Sequence, residues 1–130
     1  MERKLSTILA TDVVGFSKMM SADEVQTLDI LKNRRFVIDN LIKEHGGKIF
    51  GSAGDSGIAE VVSPVKATEC GVQFQSKMQA LNDNIAKDQQ MVFRVGIHIG
   101  DVMISEDNLF GDAVNIASRL EAEANPGGLC

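Results

Sequence analysis

Two carboxylates in this sequence stand where a divalent cation could bind. Asp12 ends the apolar run ILATD, and Asp55 lies in the turn GDSG between two apolar segments. Mg²⁺ and Mn²⁺ take hard oxygen ligands, and sites for phosphate chemistry supply one or two carboxylates. The Val13 main-chain carbonyl could add a neutral ligand where the chain turns. The alternative stays open, because aspartates at strand ends and in glycine-rich turns are common turn chemistry.

A second group of polar residues lies near the C-terminus. Asp112, Asn115 and Arg119 follow one another at spacings of three and four, which places them on one face of a helix. Arg119 could donate to phosphate oxygens, and Asn115 could orient a ribose or its reacting oxygen. The alternative is a solvated helix face on which Arg119 pairs with Asp112 or Glu123. The pattern alone leaves both interpretations open.

Composition limits the classes of function. The 130 residues are 44% hydrophobic and 24% charged, which predicts one globular domain over residues 1–130. The net charge of -5, with acids and bases interleaved, argues against a nucleic-acid partner. The two cysteines are neither spaced for zinc nor numerous enough for a disulfide framework. With no apolar stretch of ~18 residues, we expect a cytoplasmic domain without a membrane segment.

The first half of the chain supplies the elements that would position the two acids. Residues 5–14 are apolar and rich in β-branched side chains, which predicts a buried strand with Asp12 near its end. Residues 21–24 have the form of a capping box and would begin a long amphipathic helix that ends at Gly46-Gly47. Residues 48–53 and 56–62 predict a β-hairpin with Asp55 at its tip.

The second half predicts two more helices and a second hairpin. Ser63-Pro64 would begin an amphipathic helix that runs to about Lys87. Residues 92–99 and 102–105 would form a hairpin around Gly100-Asp101.

The last predicted helix, residues 111–124, carries Asn115 and Arg119, and residues 129–130 would begin another strand. The order of elements predicts an α+β fold, a ferredoxin-like or palm-type antiparallel sheet with helices packed on one face.

Several segments together resemble a known family. They are TDVVGFS, EHGGKIF with GDSG, and VGIHIGDV with LFGDAVNIASRLEAEANPGG. In this order and separation they are similar to the catalytic domain of class III adenylate and guanylate cyclases, and more narrowly to its bacterial members. The resemblance covers essentially the whole chain. It implies conversion of a purine nucleoside triphosphate to the 3′,5′-cyclic monophosphate and pyrophosphate.

The resemblance assigns roles to the residues already singled out. Asp12 and Asp55, with the Val13 main chain, match the metal site that holds two Mg²⁺ or Mn²⁺ ions over the triphosphate. Asn115 and Arg119, in NIASR, match the transition-state asparagine and arginine. The family's site forms between two chains arranged head to tail, so the resemblance implies a homodimer.

The chain departs from the family pattern where the base is read. Gly51 replaces the lysine that adenylate cyclases place three residues before Gly-Asp, and Asn108 replaces the companion aspartate. Lys48, an odd number of positions from Gly51, is predicted to point to the opposite face of the sheet. The family's domain also continues past Gly127-Gly128 with further strands and a lysine that contacts the triphosphate.

These features predict a nucleotide cyclase, with ATP the expected substrate on family frequency and altered base selectivity. A second hypothesis is a catalytically impaired cyclase-homology domain that acts as a nucleotide-binding or dimerising regulatory module. A third is another metal-dependent nucleotidyl transferase, such as a dinucleotide cyclase. The absence of a GGDEF-like run disfavours that third hypothesis.

Overall fold

The fold is built on a long central strand that carries Asp12 near its end. A computed structural model describes residues 2–105 and 108–130. The strands are β1 (Glu2–Val13), β2 (Lys48–Ala53), β3 (Ser56–Val61), β4 (Phe93–Ser105) and β5 (Asn108–Phe110). They form one antiparallel sheet in the order β2-β3-β1-β4-β5. The predicted first strand and first hairpin are therefore confirmed.

Within the part of the chain that the structure describes, four helices accompany the sheet. They are α1 (Phe16–Ala22), α2 (Glu24–Glu44), α3 (Pro64–Asn82) and α4 (Asp112–Glu123), with a short 3-10 turn at Lys87–Gln89. Among the described residues, no helix combines the length and the apolar character needed to cross a bilayer.

The helices cover both faces of the sheet. Neighbouring residues of a strand point to opposite faces. Leu9 and Val13 pack with α2 and α3 in one buried cluster, whereas Ile8 and Ala10 pack with α4 in another. The α+β class and the antiparallel sheet are confirmed, but the expectation of helices on one face differs from the structure. Because β1 is apolar on both sides, each side must be covered; we call them the α2/α3 face and the α4 face.

Glycines let α4 lie directly on β4. A Cβ at Gly96 would stand 2.3 Å from the Ala117 carbonyl oxygen and 2.3 Å from the Glu121 amide nitrogen. At Gly100 it would stand 3.1 Å from Ala113 Cβ. Only a residue without a side chain fits the closer contact, so this spacing fixes how near the site residues of α4 approach the sheet.

The predicted second hairpin is wrong. Residues 92–99 and 102–105 do not form two strands around Gly100-Asp101, because β4 runs unbroken through them and pairs with β1 from Phe93 to Ile104. The long partner strand holds Gly100-Asp101 extended. β4 instead pairs with β5 through Met103–Ser105, and the chain between them, residues 106–107, lies outside the described residues.

Two helix boundaries also differ from prediction. Asp23, not Ser21, is the N-cap of α2, and its side chain accepts from the Gln26 amide at 3.0 Å. α1 takes up Ser21 and was not predicted. α3 begins at Ser63-Pro64 as predicted but ends at Asn82, short of Lys87. The Asn82 side chain bonds the Met91 main chain through both N–H and C=O, which turns the chain toward β4.

The last two residues begin a strand, as predicted. Leu129 forms a parallel bridge with Val95, and the Cys130 amide donates to the Val95 carbonyl at 2.9 Å. The Ile97 amide donates to the Cys130 carbonyl at 2.8 Å. The C-terminal segment is thereby fixed against the edge of β4 that β5 leaves uncovered.

Candidate active site

The two predicted metal aspartates lie at the same end of the sheet. The Val13 amide donates to Asp55 Oδ2 at 3.1 Å, which ties the hairpin tip to the end of β1. The β1–β3 register supports this, because Thr11 pairs with Gly57 just beyond the turn. Asp12 alternates with Ala10 and so belongs to the α4 face. The structure therefore brings the Asp55 turn to the end of β1, 42 positions after Val13 in the chain.

Asp12 has a further acidic neighbour that the sequence analysis missed. Glu121 of α4 is only 6% exposed, and Arg94 pairs with Asp12 across β1 and β4. Burial first, and then the neighbouring Asp12 carboxylate, raise the pKa of Glu121 to about 8, although the Arg94 charge opposes the rise. Glu121 follows Ala113 and Ala117 at intervals of four. A glutamate in line with two alanines on one helix face is the sequence signal that could have identified Glu121 as a site residue.

The carboxylate oxygens fit a hard cation. Asp12 Oδ1 and Glu121 Oε1 are buried, and neither has a hydrogen-bond partner within residues 2–105 and 108–130. A buried acceptor without a partner is costly, and a cation would satisfy it. No group of three or more Asp, Glu, His or Cys residues in the described chain is arranged to hold a metal. The donor set suits an ion that takes its remaining ligands from water and phosphate.

The predicted transition-state pair is exposed on α4. Asn115 and Arg119 lie one helical turn apart. Neither makes a side-chain hydrogen bond or an ion pair with any residue that the structure describes. The alternative in which Arg119 pairs with Asp112 or Glu123 is therefore not seen. Both polar heads are open to a ligand or a second chain, and the structure does not bond them to Asp12 or Asp55.

The two atypical base positions lie on the edge strands. Gly51 of β2 is exposed, and no atom lies within 4 Å of the place that its Cβ would take. Asn108 opens β5 and is exposed. The sheet curls enough for β2 and β5 to approach each other. Space for a larger residue at position 51 is therefore available.

The predicted orientation of Lys48 is wrong. Lys48 pairs with Glu60 and Gly51 pairs with Ile58, with a register shift between Ile49 and Gly51. Glu60 and Ile58 are two positions apart, so they share a face of the sheet. The bulge inserts one extra residue into β2, so the side chains after it point to the opposite face from the one that regular alternation predicts. Lys48 and Gly51 consequently lie on the same face.

Comparison with known proteins identifies the family. Residues 2–129 match the model of the adenylate and guanylate cyclase catalytic domain. The chain belongs to this family. The resemblance drawn from the sequence motifs is thus confirmed.

Individual relatives include both kinds of cyclase. The chain is 42% identical over 128 residues to "Putative adenylate cyclase 3" of Rhizobium meliloti (strain 1021), covering 98% of this chain and 22% of that protein. It is 29% identical over 138 residues to "Soluble guanylate cyclase gcy-31" of Caenorhabditis elegans, covering 92% and 19%. The chain therefore spans about a fifth of the length of these relatives.

A solved structure agrees with the fold. The adenylate/guanylate cyclase/hydrolase from Silicibacter pomeroyi superposes with a TM-score of 0.91 at 38% identity. The match covers 99% of this chain and 76% of that one. Membership of the cyclase family and the curled antiparallel sheet are therefore supported independently.

Proposed function

We propose that this domain, over residues 1–130, is a nucleotide cyclase. It would convert a purine nucleoside triphosphate, with ATP the expected substrate, into the 3′,5′-cyclic monophosphate. The ribose 3′ oxygen would bond to the α-phosphorus as the bond to the bridging oxygen breaks and pyrophosphate leaves, while the hydroxyl proton passes to solvent. The observation that carries the proposal is the hydrogen bond from the Val13 amide, next to Asp12 in the chain, to the Asp55 carboxylate in a chain of this family.

Asp12, Asp55 and the Val13 carbonyl would hold two Mg²⁺ or Mn²⁺ ions. When bound, such ions would polarise the phosphate oxygens and lower the pKa of the 3′ hydroxyl. The unpaired Oδ1 of Asp12 supports this role, because burial has already removed the water that would otherwise satisfy it. The Asp55 carboxylate is oriented by the Val13 amide.

Asn115 and Arg119 would act on the substrate from a second chain. Their exposure, and the absence of described partners for their polar heads, support a role at an interface. Arg119 would donate to the phosphate oxygens as charge builds up, and Asn115 would orient the ribose. Because one chain would present the acids and the other would present this pair, a head-to-tail homodimer would be the active unit. The predicted cytoplasmic location stays a prediction.

The test is product formation with metal. The full-length protein is incubated with Mn²⁺ and either ATP or GTP, and the cyclic nucleotide is quantified. Asp12→Ala and Asp55→Ala should each abolish turnover, whereas Asp88→Ala, which removes an exposed acid in the 3-10 turn, should not. Full activity in both site variants would refute the assignment. No product and no nucleotide-induced thermal shift in the wild type would refute the enzyme itself.

A second candidate function rests on Gly51. With no side chain there and an asparagine at position 108, the two base-reading positions match neither the adenine nor the usual guanine set. The domain would then bind nucleotide weakly and serve as a dimerising regulatory module. Dimerisation without any cyclic product, from protein that is folded and loaded with Mn²⁺, would favour this function.

A further inference from the structure

A basic residue of α2 holds the turn that presents Asp55. The Arg35 guanidinium donates to the Ser56 carbonyl at 3.1 Å, and it also donates to the Gly54 carbonyl. These two carbonyls flank Asp55 in the chain. One side chain therefore bonds the backbone on both sides of the proposed metal ligand, and neither hydrogen bond involves the Asp55 carboxylate.

Among the described residues, few other bonds connect this turn to the rest of the protein. Asp55 lies in a two-residue connection, since Ala53 pairs with Ser56, and Gly54 adopts a positive φ of 57°. Gly54 and Ser56 are both exposed. The Val13 amide on the Asp55 carboxylate is the other described bond that leaves the hairpin tip. That bond uses an oxygen of the proposed ligand, whereas the Arg35 bonds leave both oxygens free.

Arg35 lies beside other charged groups at a cavity between α2 and the hairpin. Asp39 lies one helical turn further along α2, and Arg35 and Lys43 oppose the rise that burial produces in the pKa of Asp39. Arg35, Asp39 and Asp55 all border a cavity of about 50 Å³ between α2 and the hairpin. Because this cavity leaves the hairpin incompletely packed on α2, polar bonds have to fix the distance between the two.

We propose that Arg35 is a positioning residue that fixes the Asp55 turn to α2 and so presents the Asp55 carboxylate to the proposed metal site. Both bonds come from one guanidinium nitrogen, Nη2, whose two N–H groups let it donate to the carbonyls on both sides of Asp55. The role of Asp55 as a ligand rests on the proposed function. The attachment of the turn to α2 does not.

Hydrogen exchange tests the attachment directly. Backbone exchange is followed in the full chain for the peptide covering residues 50–58, in the wild type and in Arg35→Met. Exchange there should accelerate about tenfold, because bonds from a charged donor would no longer oppose local opening. Lys32→Met is the matched control: it removes an exposed charge three positions earlier on α2 and should leave exchange unchanged. Equal rates in Arg35→Met and Lys32→Met would overturn the proposal.

Metal binding supplies the second readout. Calorimetric titration with Mn²⁺ alone should show binding several-fold weaker in Arg35→Met, intermediate in Arg35→Lys and unchanged in Lys32→Met. At saturating Mn²⁺ the kcat of Arg35→Met should largely recover. A variant that had lost its structure in general would not recover in this way. If Arg35→Met lowers the melting temperature strongly, the hydrogen-exchange comparison with the wild type is made on Arg35→Lys instead. Absence of Mn²⁺ binding and of product in the wild type would reject the proposed function, while the exchange rates still decide the attachment.

Discussion

Replacing Gly96 with alanine should displace α4 from the sheet. The added Cβ would stand 2.3 Å from both the Ala117 carbonyl oxygen and the Glu121 amide nitrogen. Both are backbone atoms inside a helix, so the clash cannot be relieved by rotating a side chain. Overpacking of this kind costs roughly 1–3 kcal/mol, occasionally more. For a domain of this size that corresponds to a fall in melting temperature of roughly 3–15 °C.

The assay compares thermal unfolding of Gly96→Ala with that of Gly51→Ala. Gly51 is the matched control, because it also lies in a strand but nothing lies within 4 Å of the position of its Cβ. Its melting temperature should stay within about 2 °C of the wild type, since an exposed substitution without a clash has little effect. If Gly96→Ala is as stable as Gly51→Ala, the close packing of α4 on β4 is wrong. In a folded Gly96→Ala protein, cyclase activity should also fall, because Asn115 and Arg119 move with α4.

Three further predictions follow from particular contacts. The raised pKa of Glu121, about 8, means that the unfolded chain releases this proton at lower pH than the folded one, so wild-type stability should fall between pH 5 and pH 8. Glu121→Gln should flatten that fall in thermal scans, and parallel curves for both proteins would contradict the burial argument. Asp23→Ala should lower the free energy of unfolding, measured with denaturant, by about 1 kcal/mol, and Ser21→Ala should lower it much less. A larger loss in Ser21→Ala than in Asp23→Ala would show that Ser21 is the N-cap of α2. The pair Gly51→Lys and Asn108→Asp should raise the preference for ATP over GTP, and an unchanged preference would place base recognition elsewhere.

Local patterns predicted the elements that begin and end on strong signals. The run ending at Asp12, the Gly-Asp turn and Ser63-Pro64 each carry their own turn or cap chemistry, and each lies where it was expected. The failures came from tertiary pairing. Gly100-Asp101 has the composition of a turn, yet it stays extended because β1 supplies a partner along the whole of β4. A bulge at the middle of β2 likewise cannot be seen without its partner strand.

The candidate site was predicted in part. The sequence picked out Asp12 and Asp55, and the structure places them at one end of the sheet because β1 and β3 are neighbours. Arg35 and Glu121 were missed, since each acts through a contact with residues distant in sequence. An arginine on a helix carries no local sign that it bonds a turn 19 positions later.

The two-chain site is tested most directly by mixing two inactive variants. Under the proposed function, Asp12→Ala would lose the metal side of the site and Asn115→Ala would lose the opposite side, so each homodimer should be inactive with Mn²⁺ and ATP. In an equal mixture half of the dimers contain one chain of each kind, and each of those keeps one intact site of two. Cyclic nucleotide production should therefore recover to about a quarter of the wild-type rate, as expected for an isologous dimer. Mixed dimers that form but make no product would contradict the account.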